Sequence, residues 1–172
     1  TVEARYTHRI GPVAPGRVAR VDVQVGDLVR AGQLLGEMDP VDLDERLAAQ
    51  SALLLRASAA LAAAESQVRD AAARESYAGA QAKRYETLFG QRLVSTDAVE
   101  ARRQEREVAA AALAAARALR NAAAQDLAAM RADRAALEQQ RANLRLVAPV
   151  DGLVAHRLAD PGTTLVAGQP VI

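Results

Sequence analysis

Leu88-Phe89-Gly90-Gln91-Arg92-Leu93-Val94-Ser95-Thr96-Asp97 interrupts, close to its midpoint, an alanine-rich run from Val41 to Val147. Across those 107 residues there is no proline, and the two glycines are Gly79 and Gly90. Alanine, leucine, arginine, glutamate and glutamine dominate, the residues that lose least on entering a helix. One helix of that length would be unusual. The interruption therefore reads as a tight turn between two long helices, with arms at about 41–89 and 96–146.

Seven-residue rows support the two arms. Leu47, Leu54, Leu61 and Val68 recur in the first, with Gln50, Ala57, Ala64, Ala71, Ala78 and Tyr85 three positions on. In the second, Ala109, Ala116, Ala123, Met130, Leu137 and Leu144 form one row, with Leu113 and Leu127 beside it. Both are coiled-coil seams rich in small residues. Folded back so that paired numbers sum to about 184, Leu47 meets Leu137, Leu54 meets Met130, Ala57 meets Leu127 and Ala71 meets Leu113. Large side chains then often face small ones, which lets helices approach closely. The apex falls near Gln91-Arg92, and an arm of about 45–50 residues is expected to span roughly 70 Å.

The flanks have strand character. Val18, Val21, Val23 and Val25 partly alternate, and turns are marked by Pro15-Gly16, Gly26-Asp27 and Ala31-Gly32. From Leu146 onward the same character returns, with turns at Asp151-Gly152, Asp160-Pro161-Gly162 and Ala167-Gly168. Adding 136 to the first set carries Gly16, Gly26 and Gly32 onto Gly152, Gly162 and Gly168, Val18 onto Val154, Val29 onto Leu165 and Gln33 onto Gln169. Such a register is the mark of an internal repeat. Neither half holds enough apolar surface to stand alone, so residues 8–39 and 148–172 are expected to close on each other, each giving about four short strands to one sandwich. The expected class is α+β: a split β-sandwich with a long antiparallel helical hairpin, 41–147, inserted in it. Asp39-Pro40 and Ala148-Pro149 are the expected junctions and hinges.

Composition narrows the function. Lysine and arginine number 22 against 21 acidic residues, a net charge of +1 that argues against a nucleic-acid surface. Cysteine is absent, which removes thiolate metal sites and thiol catalysis. His8 and His156, Met38 and Met130 form no ligand or catalytic spacing, so no enzyme, metal or cofactor is expected. No apolar run near 18 residues is apparent and no membrane span is expected. The chain starts at Thr1 and stops at Ile172 inside what reads as a strand, as expected of part of a longer protein.

Gly-Arg-Val-Ala-Arg-Val at 16–21, Val25-Gly-Asp-Leu-Val-Arg-Ala-Gly-Gln-Leu-Leu35, the helical hairpin, Ala148-Pro-Val-Asp-Gly-Leu-Val154 and Pro161-Gly-Thr-Thr-Leu-Val-Ala-Gly-Gln169 together resemble the lipoyl-like and α-hairpin domains of the membrane fusion proteins. These are the periplasmic adaptors of tripartite efflux and secretion pumps, also called the HlyD family. The resemblance covers nearly the whole chain. It implies a lipoyl-like sandwich without cofactor and a periplasmic location, attached to the inner membrane by a segment not present here. It also implies a transporter partner contacted mostly through parts outside these residues, and a homo-oligomer, a hexamer in the family. Many such adaptors dock onto a TolC-type outer-membrane duct through an arginine, a leucine four residues on and a serine seven beyond. Arg84, Leu88 and Ser95 stand at that spacing. Each also has a plainer reading: Arg84 a solvated arm residue, Leu88 the last seam knob, Ser95 a helix cap, with Asp97 and Glu100 an equally good capping pair.

Two rival readings are weaker. A biotinyl or lipoyl carrier needs its lysine in the turn between the sandwich halves, whereas the lone lysine is Lys83, near the hairpin tip. A coiled-coil scaffold without transport role leaves the repeat unexplained.

Overall fold

The computed structural model describes residues 7–172, so the chain start at Thr1 lies outside the described residues. In chain order come strands β1 (Gly16–Val21), β2 (Leu28–Val29) and β3 (Leu34–Met38), helices α1 (Leu43–Gly90) and α2 (Thr96–Ala142), and strands β4 (Arg145–Val147), β5 (Gly152–Leu153) and β6 (Thr164–Leu165). The fold is α+β, with the helical hairpin inserted into a split sandwich. Among the described residues each half gives three strands rather than the four expected. Two compact units emerge: Gln50–Asp133, and the flanks up to Ala49 and from Arg134 to Ile172.

In the β unit the two halves exchange strands. One sheet runs β4-β3-β1-β6 and a second pairs β2 with β5. Gly16 pairs with Leu165 and Arg17 with Thr164 across β1 and β6. The same pairs shifted by 136 join β5 to β2, Gly152 with Val29 and Leu153 with Leu28. Hydrogen bonds repeat likewise. The Gly26 amide donates to Val154 O at 2.9 Å and that of Gly162 to Val18 O at 2.7 Å; the Gly32 amide donates to Ala148 O at 2.7 Å and that of Gly168 to Pro12 O at 2.9 Å. The side-chain oxygen of Gln33 accepts from the Arg30 amide, as that of Gln169 does from Val166.

The buried side chains follow the same rule. One core holds Val18, Met38, Leu146, Ala159, Leu165 and Val171. The other holds Val23, Val29, Leu35, Ala148 and Val154, with Ile10 against it. Val18 and Val154, Ala159 and Val23, Leu165 and Val29, and Val171 and Leu35 are repeat mates placed in opposite cores. Each core is thus built from both halves, because a ribbon of short strands has too little apolar surface to cover itself.

Four of the six motif glycines, Gly26, Gly32, Gly162 and Gly168, have φ between 78° and 98°, where a side chain would be strained. Gly16 and Gly152 are corrected: neither has positive φ, and they open β1 and β5 rather than sit in turns.

The unbroken helical stretch up to 147 is also corrected. α2 ends at Ala142, the Asn143 and Leu144 amides close its last turn on Gln139 O and Arg141 O, and Arg145–Val147 joins the sheet. Pairing to β3 wins because it buries Leu146 against Met38. Ala148-Pro149 therefore does not terminate a helix. Ala148 is buried and bonded both ways, its amide donating to Gln33 O and its carbonyl accepting from Gly32, which does not suit a hinge. The Asp39-Pro40 junction is tied as well. Arg17 makes a two-nitrogen ion pair with the Asp39 carboxylate, and the Asp39 amide donates to Arg17 O at 2.7 Å. The guanidinium, helped by the Val41 amide, holds the Asp39 carboxyl below its ordinary pKa.

In the helical unit, contacts that join the arms fix their register. Gln50 Nε2 donates to Met130 O at 3.1 Å, Glu65 pairs with Arg120, Glu86 with Arg103 at 2.8 Å, and the Arg102 guanidinium lies 5.0 Å from the Tyr85 ring centre. The numbers of these pairs add to 180–189, against the 184 read from the heptads. Leu47, Leu54, Leu61, Val68, Met130 and Leu137 are half-buried, while Leu113 and Leu127 are buried. One expectation about composition is overturned: α1 contains an 18-residue window of mean hydropathy 1.4, apolar enough by length and composition to cross a membrane.

Candidate docking site at the hairpin apex

The apex is built by two complementary helix ends. At the end of α1 the Arg92 amide donates to Phe89 O at 2.8 Å and the Leu93 amide to Leu88 O at 2.9 Å. This is a Schellman closure, which satisfies carbonyls the helix leaves open and demands a left-handed residue at its penultimate position. That residue is Arg92, with φ 61°, where glycine is usual. A non-glycine there costs on the order of 1 kcal/mol. Gly90, two residues earlier, is the last residue of α1 and has no positive φ.

Ser95 opens α2. Its hydroxyl accepts from the Ala98 amide at 3.3 Å and its carbonyl from the Val99 amide at 3.3 Å, so Ser95 rather than Asp97 is the cap. Asp97 sits in the first turn, where a negative charge suits the helix end. Of the three residues at the 84/88/95 spacing, Arg84 is exposed and has no hydrogen bond or ion pair to a described residue, Leu88 is half-buried, and the Ser95 hydroxyl is engaged as a cap while remaining exposed. Arg84 and Leu88 share a face of α1, one turn apart.

Below the apex the arms are stapled. Glu86 holds Arg103 across the hairpin, and Arg102 stacks on Tyr85 while forking onto Glu105 at 2.7 and 2.9 Å. That carboxylate, followed by Tyr85, raises the pKa of Arg102, so its charge is permanent. Ala82 and Val99, each three or four residues before these contacts in its own helix, are buried. At the apex itself Phe89 is 43% and Leu93 67% exposed. Sequence reasoning passed over Phe89, Arg92 and Leu93. The heptad rows end before them, and nothing in a lone arginine announces left-handed backbone.

No buried polar or charged side chain and no group of three metal-ligating residues occurs among the described residues. His8 and His156 are exposed. Lys83 is exposed within α1 rather than set in a sandwich turn. The arrangement offers contact surface.

A sandwich completed by exchange between two chain halves, with a helical hairpin issuing from between them, is the barrel-sandwich hybrid of adaptor proteins. The family described as RND MFP, barrel-sandwich hybrid domain, matches residues 7–172, and the chain belongs to it. It is thus a member of the membrane fusion, or periplasmic adaptor, proteins. Among solved structures, MacA from Actinobacillus actinomycetemcomitans is 24% identical with a TM-score of 0.59 over 99% of this chain and 49% of that one, a likeness of fold. The periplasmic adaptor EmrA is 17% identical with a TM-score of 0.41, covering 98% of this chain and 71% of its own. ZneB from Cupriavidus metallidurans is 20% identical with a TM-score of 0.35, covering 95% and 58%. The chain spans about half the length of MacA. No curated protein matches the chain.

Proposed function

We propose that this chain is the central part of a periplasmic adaptor that links an inner-membrane transporter to a TolC-type outer-membrane duct, for efflux or secretion. Six copies would assemble side by side, held at the inner membrane and contacting the transporter mostly through parts beyond these residues. The role is mechanical and non-enzymatic: helices capped at both sides of the turn hold the apex in one shape, so docking is communicated by geometry. The observation that carries the reading is the apex itself. Unpaired Arg84 and half-buried Leu88 share one face of α1, and exposed Ser95 starts α2 just across the turn. A guanidinium suits duct-side carboxylates or carbonyls, and a leucine suits a groove between duct subunits.

The test is co-purification or crosslinking of the full-length adaptor with a TolC-type duct. Capture by the wild type should be lost on Arg84→Ala or Leu88→Ala. Equal capture by all three proteins would remove Arg84 and Leu88 as the docking residues, and capture by none of them would favour the scaffold reading.

A further inference from the structure

The most exposed apolar side chains of the apex are not those of the 84/88/95 spacing. Leu93 and Phe89 stand out more than half-buried Leu88, and between them in sequence lies an arginine on left-handed backbone. The closure needs neither an arginine at 92 nor apolar side chains as exposed as these. Glycine at 92 would make the same closure without strain, and two exposed apolar side chains gain nothing from water. Charge is left open here as well. Arg92 is exposed and makes no ion pair to a described residue. Of the nearby carboxylates Glu86 is held by Arg103, while Asp97 stands at the start of α2. Arg84, Arg92 and Lys83 are three exposed cations near the apex without an ion pair to a described residue, against two such carboxylates, Asp97 and Glu100.

We infer that Phe89, Arg92 and Leu93 form a second docking element, beside Arg84 and Leu88, in which Arg92 selects the partner. The occupant is the mouth of an outer-membrane duct that presents a carboxylate at the rim of an apolar groove between helices. Phe89 and Leu93 enter the groove and the Arg92 guanidinium takes the carboxylate, a forked contact that lysine does not reproduce. This rests on the docking reading above. What it adds is the identity of the discriminating residue and the sign of the surface it meets.

The experiment titrates the full-length adaptor against a TolC-type duct held in lipid nanodiscs, at low and at physiological salt, with a melting curve for each variant. Arg92→Gly is expected to melt at or above the wild-type temperature yet bind at least tenfold more weakly, with a shallower salt dependence. Arg92→Lys should recover only part of the loss, Arg92→Glu should abolish binding, and Leu93→Ala should weaken it severalfold. If Arg92→Gly binds within twofold of wild type while Arg84→Ala loses tenfold, this inference is wrong and the docking reading stands. If the wild-type adaptor does not bind the duct, both fall.

Discussion

Gly36 and Gly90 differ in what surrounds them, and that difference decides what alanine does at each. A Cβ at Gly36 would lie 2.7 Å from Arg20 O and 3.3 Å from Val21 Cα, both backbone, so β1 and β3 would have to part. Gly36→Ala should cost about 1–3 kcal/mol, the usual penalty of overpacking. A Cβ at Gly90 would meet nothing within 4 Å beyond its own helix turn, and φ is not positive. Gly90→Ala should therefore stabilise the helix end by up to about 1 kcal/mol. Thermal melts of the two variants should move in opposite directions. Asp39 gives a second test. Its pKa is lowered chiefly by Arg17, so the carboxylate contributes stability that is fully present above about pH 4 and lost as pH falls through the lower folded value. Melting temperatures of wild type and Asp39→Asn should differ at pH 7 and converge below pH 4; a gap that persists at low pH would remove the ion pair as its cause. These residue-level facts were largely illegible beforehand. Gly36 reads as one more strand residue because its close approach is set by β1, distant in sequence, and Arg92 looks like any solvated arginine because the closure that turns its backbone left-handed usually carries a glycine.

The helices, by contrast, were written plainly. Absence of proline, an alanine-rich run and rows at sevens are local signals, and they placed two arms and an apex where the chain folds them. The end of α2 was less legible, since Asn143 to Val147 suit helix and strand alike and a distant partner, β3, decides. Within α2 burial follows the heptad rows, which take in Leu127 and leave out Leu119. Leu127 is 5% exposed and Leu119 60%. Leu127→Ala should cost about 2–4 kcal/mol through lost burial and the cavity left behind. Leu119→Ala, a change on the open face, should fall within about 0.5 kcal/mol of neutral. Denaturant titration followed by helical circular dichroism measures both. Equal losses would mean that α2 packs on a different face. The apolar window of α1 belongs at this scale too, as alanine raises mean hydropathy without the side-chain bulk that long burial rewards.

At the scale of the whole chain, the governing fact is that residues about 136 apart act as one domain. The repeat was legible because glycine spacing survives in sequence, but the exchange of strands was not, since pairing within a half and pairing across halves leave the same pattern. Both cores draw their buried residues from the stretches before Asp39 and after Leu144, and none from the arms. At the junction Glu37 already pairs with Arg145, and the Met38 amide donates to Leu144 O at 2.8 Å. A two-residue turn is enough to close such an antiparallel pair. A chain in which residues 40–143 are replaced by one glycine, so that Asp39-Gly joins β3 to β4, should therefore fold. It should give dispersed amide resonances and a single cooperative melt, though marginally stable, as a domain of about 70 residues is. Either half alone should stay unfolded: the first would lack Leu146, Ala159, Leu165 and Val171 of one core and Ala148 and Val154 of the other, and the second would lack Val18 and Met38 of one and Val23, Val29 and Leu35 of the other. Mixing the two separate halves should restore some structure only at high concentration, where association replaces the lost tether. If the shortened chain fails to melt cooperatively while the full chain does, the helices contribute to the sandwich core, and the exchange of strands alone does not hold the domain together.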